Sequence, residues 1–299
     1  MKKELKLSQS DKLRLSVVQA TRNEAENIER NLKSVKDIAF EMIVVDEYST
    51  DNTKQLAEKN GAKVYLEKHH DIFHITKQKA IDYATGDWIL QIDSDEAVTP
   101  ELAKEIKKVL NGEEIVINDP KKKKLFDKHQ ELLAERDGKL GKDEGEVVAY
   151  NEIVAYFIPR VNMFLGRPLI HGGVYPDGVI RLFKKGKAWL PGKSVHEQME
   201  IDGKVGWLNN NLLHYDSPTL SRYFWRLNRY TDAHALELKV NKVSKGLGGF
   251  VQYVFVKPIF TFFNLFLRHK GFKDGVNGFL WSFFSALHFP IAYFKYITS

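Results

Sequence analysis

Hydrophobic and polar positions follow two different periods along the first 110 residues of the chain. Short apolar runs rich in β-branched residues predict strands, and segments with apolar residues three or four apart predict amphipathic helices. The predicted strands are Leu13–Gln19, Met42–Asp46, Lys63–Leu66 and Trp88–Ile92, and the predicted helices are Ala25–Lys36, Thr53–Asn60, Ile75–Ala84 and Pro100–Leu110. Strands that alternate with helices indicate an α/β fold, a mostly parallel sheet flanked by helices.

Capping and breaking residues support these boundaries. Asn23 is a suitable N-cap for the first helix, and Gly61 and Gly86 follow the second and third helices. Pro100 stands at the first turn of the fourth helix, where a missing N–H costs nothing. Sheets of this type bind ligands beyond the carboxyl ends of their strands, so the segments that follow the strands are the candidate site.

The pattern changes after the fourth helix. Asp119–Glu144 contains eight basic and seven acidic residues and few apolar ones. We interpret an insertion at about 116–149 as a solvated helix or mobile segment, and the alternative is a basic patch that contacts lipid head groups. Tyr150–Pro191 returns to short apolar runs punctuated by glycines, which predicts an irregular β-rich segment that completes the site.

The C-terminal region is dominated by aromatic residues. Phe250–Tyr296 holds 16 of the 36 aromatics, and its two apolar stretches, Phe250–Leu267 and Phe279–Tyr293, flank a basic turn at Arg268–Lys273. Because no apolar run reaches the length of a spanning helix without interruption, we expect this region to lie in a membrane interface. The alternative is a helical hairpin that packs on the catalytic domain or a second subunit. We therefore predict domains at 1–232 and 233–299.

Composition narrows the chemistry. The absence of cysteine excludes disulfides, thiolate metal sites and cysteine nucleophiles. A net charge of +6 suits phosphate-bearing substrates or an anionic membrane, although many proteins with this charge bind neither. Met1–Leu15 is charged and has no apolar core of a signal peptide, so we expect catalysis on the cytoplasmic side.

Asp93 and Asp95 are the strongest chemical signal. They directly follow a predicted strand, and alternation along an extended chain would place both carboxylates on the same side. Two hard oxygen donors at this position can hold Mg²⁺ or Mn²⁺, which in turn binds a diphosphate. A solvated acidic loop is the plain alternative.

Two further polar clusters follow the first and second strands. Thr21–Glu24 reads TRNE, and Asn23 and Glu24 there suit either a ligand crevice or a helix N-terminus. Val44–Thr53 reads VVDEYSTDNT, in which Asp46 stands where a carboxylate could accept a hydrogen bond from a ribose or base. Ser49, Thr50 and Asp51 suit caps of the next helix equally well.

Together with downstream motifs, these clusters resemble family 2 glycosyltransferases with the GT-A fold. The downstream motifs are ATGDWILQIDSDEAVTPEL (Ala84–Leu102), FIPRVNMFLGRPLIHGGVYPDGVIRLFKKGKA (Phe157–Ala188), VHE (Val195–Glu197) and LLHYDSPTLSRYFWRLNRYT (Leu212–Thr231). They are similar to the lipopolysaccharide-core β-glucosyltransferase branch. The resemblance covers roughly Leu13 to Thr231 apart from the insertion.

The resemblance implies roles for residues at matching positions. The nucleotide sugar would be bound by Thr21, Arg22, Asn23, Glu24, Asp46, Lys77, Asp93, Ser94 and Arg181, with Lys77 reaching the diphosphate. Asp95 would ligate the metal directly, Asp93 would contact the ribose or the metal through water, and His214 would complete the site. His214 is equally well interpreted as a core histidine, and Arg181 as a strand residue on the solvent face.

An inverting transfer needs a general base that deprotonates the acceptor hydroxyl. Glu197 has the spacing from the D-x-D motif that the family shows, and we favour it over Asp177, which lies in the glycine-rich HGGVYPD turn with His171. Glu47 and Tyr48 depart from the family, which usually has small residues after the second-strand aspartate.

The expected protein is a metal-dependent inverting enzyme. It would transfer glucose or a related hexose from a UDP-sugar to a lipid-linked or lipopolysaccharide-type acceptor. We expect it to be peripheral on the inner face of the cytoplasmic membrane, with no nucleic-acid partner, and a homo-oligomer is compatible with the sequence. The alternatives are a polyprenyl-phosphate glycosyltransferase and a non-catalytic nucleotide-sugar-binding relic. A nucleotidyltransferase would need a glycine-rich phosphate loop, which Thr21–Glu24 lacks.

Overall fold

The computed structural model of the chain describes residues 13–136, 153–192 and 199–299, without the side chains of residues 132–136. The favoured base Glu197 therefore lies outside the described residues. The chain forms two compact units. Unit 1 comprises Met1–Arg160 and Gly178–Leu213, and unit 2 comprises Val161–Asp177 and His214–Ser299. These boundaries differ from the predicted division at residue 232.

Strands and helices alternate in the first part of unit 1. The order is β1 Leu15–Thr21, α1 Ile28–Val35, β2 Glu41–Asp46, α2 Thr53–Lys59, β3 Lys63–Leu66, α3 Phe73–Asp82, β4 Trp88–Gln91, β5 Glu96–Val98, α4 Pro100–Leu110 and α5 Pro120–Arg136. Strand β6, Ile153–Phe164, follows and ends in unit 2. The later strands are β8 Asp177–Lys184, β9 Ala188–Trp189, β10 Glu200–Ile201 and β11 Lys204–Trp207. Strands β6, β8 and β9 lie within Tyr150–Pro191, where the sequence predicted a β-rich segment.

The sheet of unit 1 has the order β3-β2-β1-β4-β8-β6. The first four strands are parallel, whereas β8 pairs antiparallel to β4 with Leu90 opposite Leu182. Helices cover the sheet with apolar stripes, such as Leu102, Ile106 and Val109 of α4, which are buried in the core. The predicted GT-A architecture, a mostly parallel sheet flanked by helices, is confirmed. It places the ends of β1, β2 and β4 at one edge of the sheet.

The first helix begins later than predicted. It starts at Ile28 rather than Ala25, and Asn23 is not its N-cap. Asn23 instead has a positive φ of 55°, and its side-chain oxygen accepts a hydrogen bond of 2.8 Å from the backbone N–H of Thr50. This bond joins the two loops that follow β1 and β2, so Asn23 stabilises a contact between loops and does not cap a helix.

The charged insertion begins as a helix, α5, and most of its described side chains are exposed, as predicted for a solvated helix, with Phe126 as the exception. Phe126 is buried, and its ring stacks on Trp207 with centroids 4.1 Å apart. One apolar side chain among many lysines gives little periodic signal, so the buried contact is invisible in the local pattern.

Unit 2 is mainly helical. It contains the end of β6, β7 Arg167–Leu169, β12 Leu212–Ser217 (whose first two residues belong to unit 1), α6 Leu220–Val240, α7 Leu247–Val251, a π-helical turn Gln252–Val256, α8 Lys257–Phe263, a second π-helical turn Asn264–Arg268, a 3₁₀ turn Gly271–Asp274 and α9 Gly275–Thr298. Residues Leu247–Arg268 form one continuous helix, which we call the apolar helix.

The sequence did not indicate a simple spanning helix, but the apolar helix is long and apolar enough to be one by length and composition alone. It has 22 residues, and its most apolar 18-residue window has a mean hydropathy of 1.5. The sequence argument required an uninterrupted apolar run, and Gln252, Lys257 and Pro258 interrupt this one. The chain nevertheless continues as one helix, in which Pro258 stands two residues after the π-helical turn Gln252–Val256.

Candidate functional site

A cavity of about 260 Å³ opens at the carboxyl ends of β1, β2 and β4. Its lining combines loop residues after each strand with two residues of α3; it consists of Ala20, Thr21, Arg22, Glu24, Glu47, Phe73, Lys77, Asp93 and Ser94. Six of the predicted nucleotide-sugar residues are thus brought together, namely Thr21, Arg22, Glu24, Lys77, Asp93 and Ser94. This is the sheet edge at which ligands bind in open α/β folds.

The D-x-D motif forms a tight turn and not an extended segment. The backbone N–H of Glu96 donates to the carbonyl of Asp93 at 2.9 Å, so the alternation that would align Asp93 with Asp95 does not apply. The buried side chain of Asn31 holds this turn by donating to the carbonyls of Asp93 at 2.8 Å and Glu96 at 2.9 Å. The turn is therefore anchored to α1 beneath it.

Asp93 is held between two cations. Its Oδ1 lies 2.5 Å from Nζ of Lys77, and its Oδ2 lies 2.5 Å from Nη2 of Arg181. Both contacts are charge-assisted and bring α3 and β8 onto the same carboxylate. Lys77 also lines the cavity with its Nζ 4.8 Å from the centre of the Phe73 ring, so its charge faces the space that a ligand would occupy.

Burial by itself would raise the pKa of Asp93, but the charges of Arg181 and Lys77 outweigh it and hold that pKa well below its usual range. Burial would likewise lower the pKa of Arg181, and the carboxylates of Asp93 and Glu96 raise it instead. Asp93 is therefore ionised at any physiological pH and stays paired.

Arg181 is buried, so its interpretation as a solvent-facing strand residue is wrong. Its Nη1 donates to Gln91 Oε1 at 2.6 Å and its Nη2 to Glu96 Oε1 at 2.8 Å. Glu96 is fully buried and also lies 3.2 Å from Nη1 of Arg160. The guanidinium thus neutralises two carboxylates of the turn, which is what a buried charge requires.

The predicted nucleoside residues Asn23 and Asp46 shape the loops rather than line the cavity. Asp46 is buried, and its carboxylate accepts hydrogen bonds from the backbone N–H of Ser49 at 3.0 Å and from the Ser49 hydroxyl. Ser49 Oγ in turn accepts from the backbone N–H of Asn23 at 2.8 Å. Asn23 and Asp46 therefore fix the loops that carry Thr21, Arg22 and Glu47 around the cavity.

Glu47 lies inside the cavity. It is buried, lies 2.6 Å from Nδ1 of His69, and accepts a hydrogen bond from the hydroxyl of Thr76. The family usually has a small residue at this position, and Glu47 instead puts a carboxylate where a ligand would contact the second loop. This difference from the family was the sequence signal that pointed to Glu47.

Other contributors were missed at the sequence level. Asn31, Gln91, Glu96 and Arg160 all contact the D-x-D turn or its arginine. Asn31 had a usable signal, a polar residue on the inward stripe Ile28, Leu32, Val35 of α1. Arg160 had none, because strand order alone brings it to the turn.

The residues at the turn fit a divalent cation bound mainly by a diphosphate. Both oxygens of Asp93 contact cations, and Asp95 lies half-buried on the same turn, at the position where the family resemblance puts the direct metal ligand. No group of three His, Asp or Glu side chains within the described ranges could hold a metal. One carboxylate plus substrate phosphates and water is an ordinary set of ligands for Mg²⁺ or Mn²⁺.

Unit 2 holds the remaining predicted residues. His214 is buried, with Nδ1 2.6 Å from Oδ1 of Asn162, and Nδ2 of Asn162 donates to Asp177 Oδ2 at 3.1 Å. Asn162 therefore links the predicted metal ligand His214 to the second candidate base Asp177. His171 lies 2.7 Å from Asp274 through Nδ1 and Oδ1.

Comparison with known proteins finds a family match and several relatives. Residues 16–161 match the family described as Glycosyl transferase family 2. An uncharacterized glycosyltransferase of Rickettsia conorii is 28% identical over 279 residues, covering 89% of this chain and 84% of that protein. The prophage-derived glycosyltransferase SunS of Bacillus subtilis is 38% identical over 89 residues, covering 29% of this chain and 21% of that protein.

Solved structures show a more distant similarity. Glucosyl-3-phosphoglycerate synthase of Mycobacterium tuberculosis, solved with Mn²⁺, UDP and glucosyl-3-phosphoglycerate, is 27% identical over 34% of this chain and 42% of that chain, with a TM-score of 0.30. Mannosyltransferase PcManGT of Pyrobaculum calidifontis, solved with GDP-mannose and Mn²⁺, is 16% identical and covers 92% of this chain and 73% of that chain, with a TM-score of 0.44.

Proposed function

Because residues 16–161 match the family described as Glycosyl transferase family 2, we propose that the protein transfers a hexose from a UDP-sugar to a lipid-linked or lipopolysaccharide-type acceptor with inversion. The observation that carries this proposal is the cavity at the ends of β1, β2 and β4, whose lining residues Lys77 and Asp93 form an ion pair, with the buried Arg181 on the other oxygen of Asp93. The rest of the proposal follows from what these groups can do.

Lys77 is the donor-phosphate ligand of the proposal. Its ammonium group faces the cavity beside the exposed guanidinium of Arg22, so two cations can meet a diphosphate there. Phe73 offers an apolar ring face, and Glu24 and Glu47 offer carboxylates that can accept hydrogen bonds from ribose or base. Such a mixture of one ring and a few polar groups is typical of nucleotide pockets.

Asp95 would hold the divalent ion, Mn²⁺ or Mg²⁺, which when bound supplies positive charge against the leaving diphosphate. Arg181 and Lys77 keep Asp93 ionised and in place at the other end of the turn. His214 stays a candidate ligand on the strength of the family resemblance alone.

We assign the general base to Glu197, with Asp177 as the alternative. The assignment rests on spacing, since Glu197 lies outside the described residues. Loss of transfer with retained UDP binding in Glu197→Gln, but not in Asp177→Asn, would support it.

The C-terminal region would hold the protein on the inner face of the cytoplasmic membrane. The support is the exposure of its apolar helix, in which residues such as Phe255 and Phe263 are half-exposed or more. A lipid-linked acceptor would then be presented at the same surface.

A donor screen tests the proposal. Nucleotide release would be measured from UDP-, GDP- and dTDP-sugars, with membranes as the acceptor source, in Mn²⁺, Mg²⁺ or EDTA. The expected result is release from a UDP-sugar that EDTA abolishes. A protein that binds UDP and Mn²⁺ in a calorimetric titration but releases no nucleotide would be a binding relic, which contradicts the proposal.

Lys77→Met is expected to weaken UDP binding by about tenfold to a hundredfold, because a hydrogen bond to a charged group contributes about 1.5–3 kcal/mol. Calorimetric titration with UDP and Mn²⁺ measures the change. Lys79→Met is the matched control, since Lys79 lies on the same helix and pairs with Glu67 at 2.6 Å. Equal UDP affinity in Lys77→Met and the control would show that Lys77 does not contact the phosphates.

A further inference from the structure

The apolar helix, Leu247–Arg268, exposes most of its hydrophobic side chains. Only 6% of its most apolar 18-residue window is buried. Its exposed hydrophobic residues are Leu247, Val251, Phe255, Val256, Ile259, Phe260, Phe263 and Leu267, each between 42% and 78% exposed. An apolar surface of this size on one helix indicates an interaction site.

Four of these residues form a stripe along the helix. Val251, Phe255, Ile259 and Phe263 follow one another at intervals of four, and in a regular α-helix that spacing would drift around the axis by about 40° per step. The π-helical turns Gln252–Val256 and Asn264–Arg268 hold more residues per turn and rotate the stripe back. The exposed face therefore runs along the whole helix.

The opposite face of the helix packs on its own unit. Tyr253 is buried and stacks on Tyr293 of α9 with ring centroids 5.5 Å apart. Phe262 and Phe266 contact Phe279 of α9 at 5.7 and 5.9 Å. Because Phe279 is itself 43% exposed, it extends the apolar surface from the helix onto α9.

The charge along this part of the chain has one sign. Between Leu238 and Lys273 the chain contains seven basic residues, Lys239, Lys242, Lys245, Lys257, Arg268, Lys270 and Lys273, and no acidic residue. Asp274, the next carboxylate, is occupied by the backbone N–H groups of Ile170 and His171. Basic residues therefore stand at both ends of the apolar stripe, which matches an anionic lipid surface.

The charges of α6 argue against a spanning orientation. This helix packs along α9 and carries six charged residues, Arg222, Arg226, Arg229, Asp232, Glu237 and Lys239. If the apolar helix crossed a bilayer, α9 and α6 would have to enter it as well and bring these charges to membrane depth, which is costly. A helix that lies in the membrane plane immerses only its apolar stripe and leaves α6 in water.

We propose that the apolar helix lies parallel to the plane of an anionic phospholipid bilayer, with the Val251–Phe263 stripe in the acyl region and the flanking basic residues among the head groups. This inference rests on the membrane location in the proposed function and defines its lipid class, its binding face and its orientation. The protein is then a peripheral enzyme whose attachment depends on anionic lipid.

Vesicle binding tests the face and the lipid class. The full chain is expected to co-sediment with phosphatidylglycerol-containing vesicles and to bind phosphatidylcholine vesicles at least about tenfold more weakly, because each basic residue near the surface contributes to attraction. Phe255→Ser with Phe263→Ser should reduce binding to the anionic vesicles by about tenfold or more, since two apolar rings are no longer inserted. Lys270→Gln with Lys273→Gln should reduce it by about tenfold and make it less sensitive to salt.

Matched controls come from exposed residues of the same types in unit 1. Phe40→Ser removes a ring that is 55% exposed, and Lys107→Gln with Lys108→Gln removes two exposed charges of α4. Neither control should change vesicle binding. Equal loss in the controls and the test variants would overturn the assignment of the face.

Depth measurement tests the orientation. The chain has no cysteine, so single-cysteine variants Leu247→Cys, Ile259→Cys and Leu267→Cys each accept one nitroxide label. The three labels are expected at one common depth in phosphatidylglycerol-containing vesicles. A label at Ile259 much deeper than the two end labels would show a spanning helix and would contradict the proposal.

Two other results would also overturn it. Equal binding to phosphatidylcholine and phosphatidylglycerol vesicles would remove the anionic-lipid requirement. Absence of vesicle binding together with a dimer that Phe255→Ser/Phe263→Ser dissociates, measured by light scattering, would identify the face as a contact between copies of the chain. Vesicle binding and label depth are measured without a donor, whereas the donor screen reads nucleotide release, so failure of this inference and failure of the proposed function are distinguishable.

Discussion

Asp95→Ala is expected to lower metal-dependent nucleotide release by roughly 10² to 10³, because several kcal/mol of charge stabilisation on the leaving diphosphate would be lost. The family resemblance gives Asp95 the role of direct metal ligand, and the cations Lys77 and Arg181 contact both oxygens of Asp93, the other carboxylate of the motif. The measurement is the rate of nucleotide release at saturating donor over a Mn²⁺ titration.

The variant should stay folded. The turn is held by the bond from Glu96 N–H to the Asp93 carbonyl and by the side chain of Asn31, neither of which involves the Asp95 carboxylate. Asp37→Ala is a suitable control, since Asp37 is exposed in the loop after α1. An Asp95→Ala enzyme that keeps both its rate and its requirement for Mn²⁺ would show that the metal, if used, is held elsewhere.

Arg181→Met is expected to lower the free energy of unfolding by about 3 kcal/mol at neutral pH, since removal of one partner leaves buried charge uncompensated. The side chain of Arg181 is 10% exposed and faces Glu96, which is fully buried. This expected loss in the free energy of unfolding is at the lower end of the range for breaking a buried ion pair, because Arg160 still contacts Glu96 and Asp93 reaches water through the cavity. Urea unfolding followed by circular dichroism measures the change.

The effect should depend on pH in a definite direction. In the wild type the folded-state pKa of Asp93 lies below its unfolded value, so its ion pairs stabilise the fold above about pH 4 and are lost as the pH falls through the folded-state pKa. Without Arg181, the largest of the charges that lower the pKa of Asp93 is missing. The difference in stability between Arg181→Met and wild type should therefore shrink as the pH falls below about 4.

Two variants serve as controls for Arg181→Met. Arg181→Lys keeps a positive charge and should lose less stability than the methionine variant. Arg167→Met removes an exposed arginine of β7 and should change the free energy of unfolding little. If Arg181→Met unfolds at the same urea concentration as Arg167→Met, the buried network does not stabilise the fold.

Most of the fold could be predicted from local pattern. Strands β2 and β3 and helix α4 match the predicted segments within one residue, and the alternation of strands and helices led to the parallel sheet. Such elements bury one face or both, and the resulting periods of two and 3.6 residues can be seen in short windows of the sequence. The beginning of α1 was predicted poorly because Asn23 serves a loop contact with Thr50 that no local pattern shows.

The candidate site was also predictable only in part. The D-x-D motif and the TRNE cluster could be located because each directly follows a recognisable strand, and Lys77 could be named from the family resemblance. Arg181 could be named from the family resemblance, but its burial and its pairing with Asp93, 88 residues earlier, could not. That contact exists only because β8 inserts antiparallel beside β4, and strand order is a property of the whole sheet.

The sequence by itself determined the α/β class, the carboxylate turn after β4 and the aromatic, basic character of the C-terminal region, because each depends on residues close together in the chain. Only the tertiary structure decided that Arg181 and Lys77 share Asp93 and that Asn31 anchors the turn. It also decided which face of the apolar helix stays open, because packing against α9 buries Tyr253 and leaves Phe255 exposed. Ion pairing and burial between distant segments depend on how the elements are arranged, and local periodicity carries no record of that arrangement.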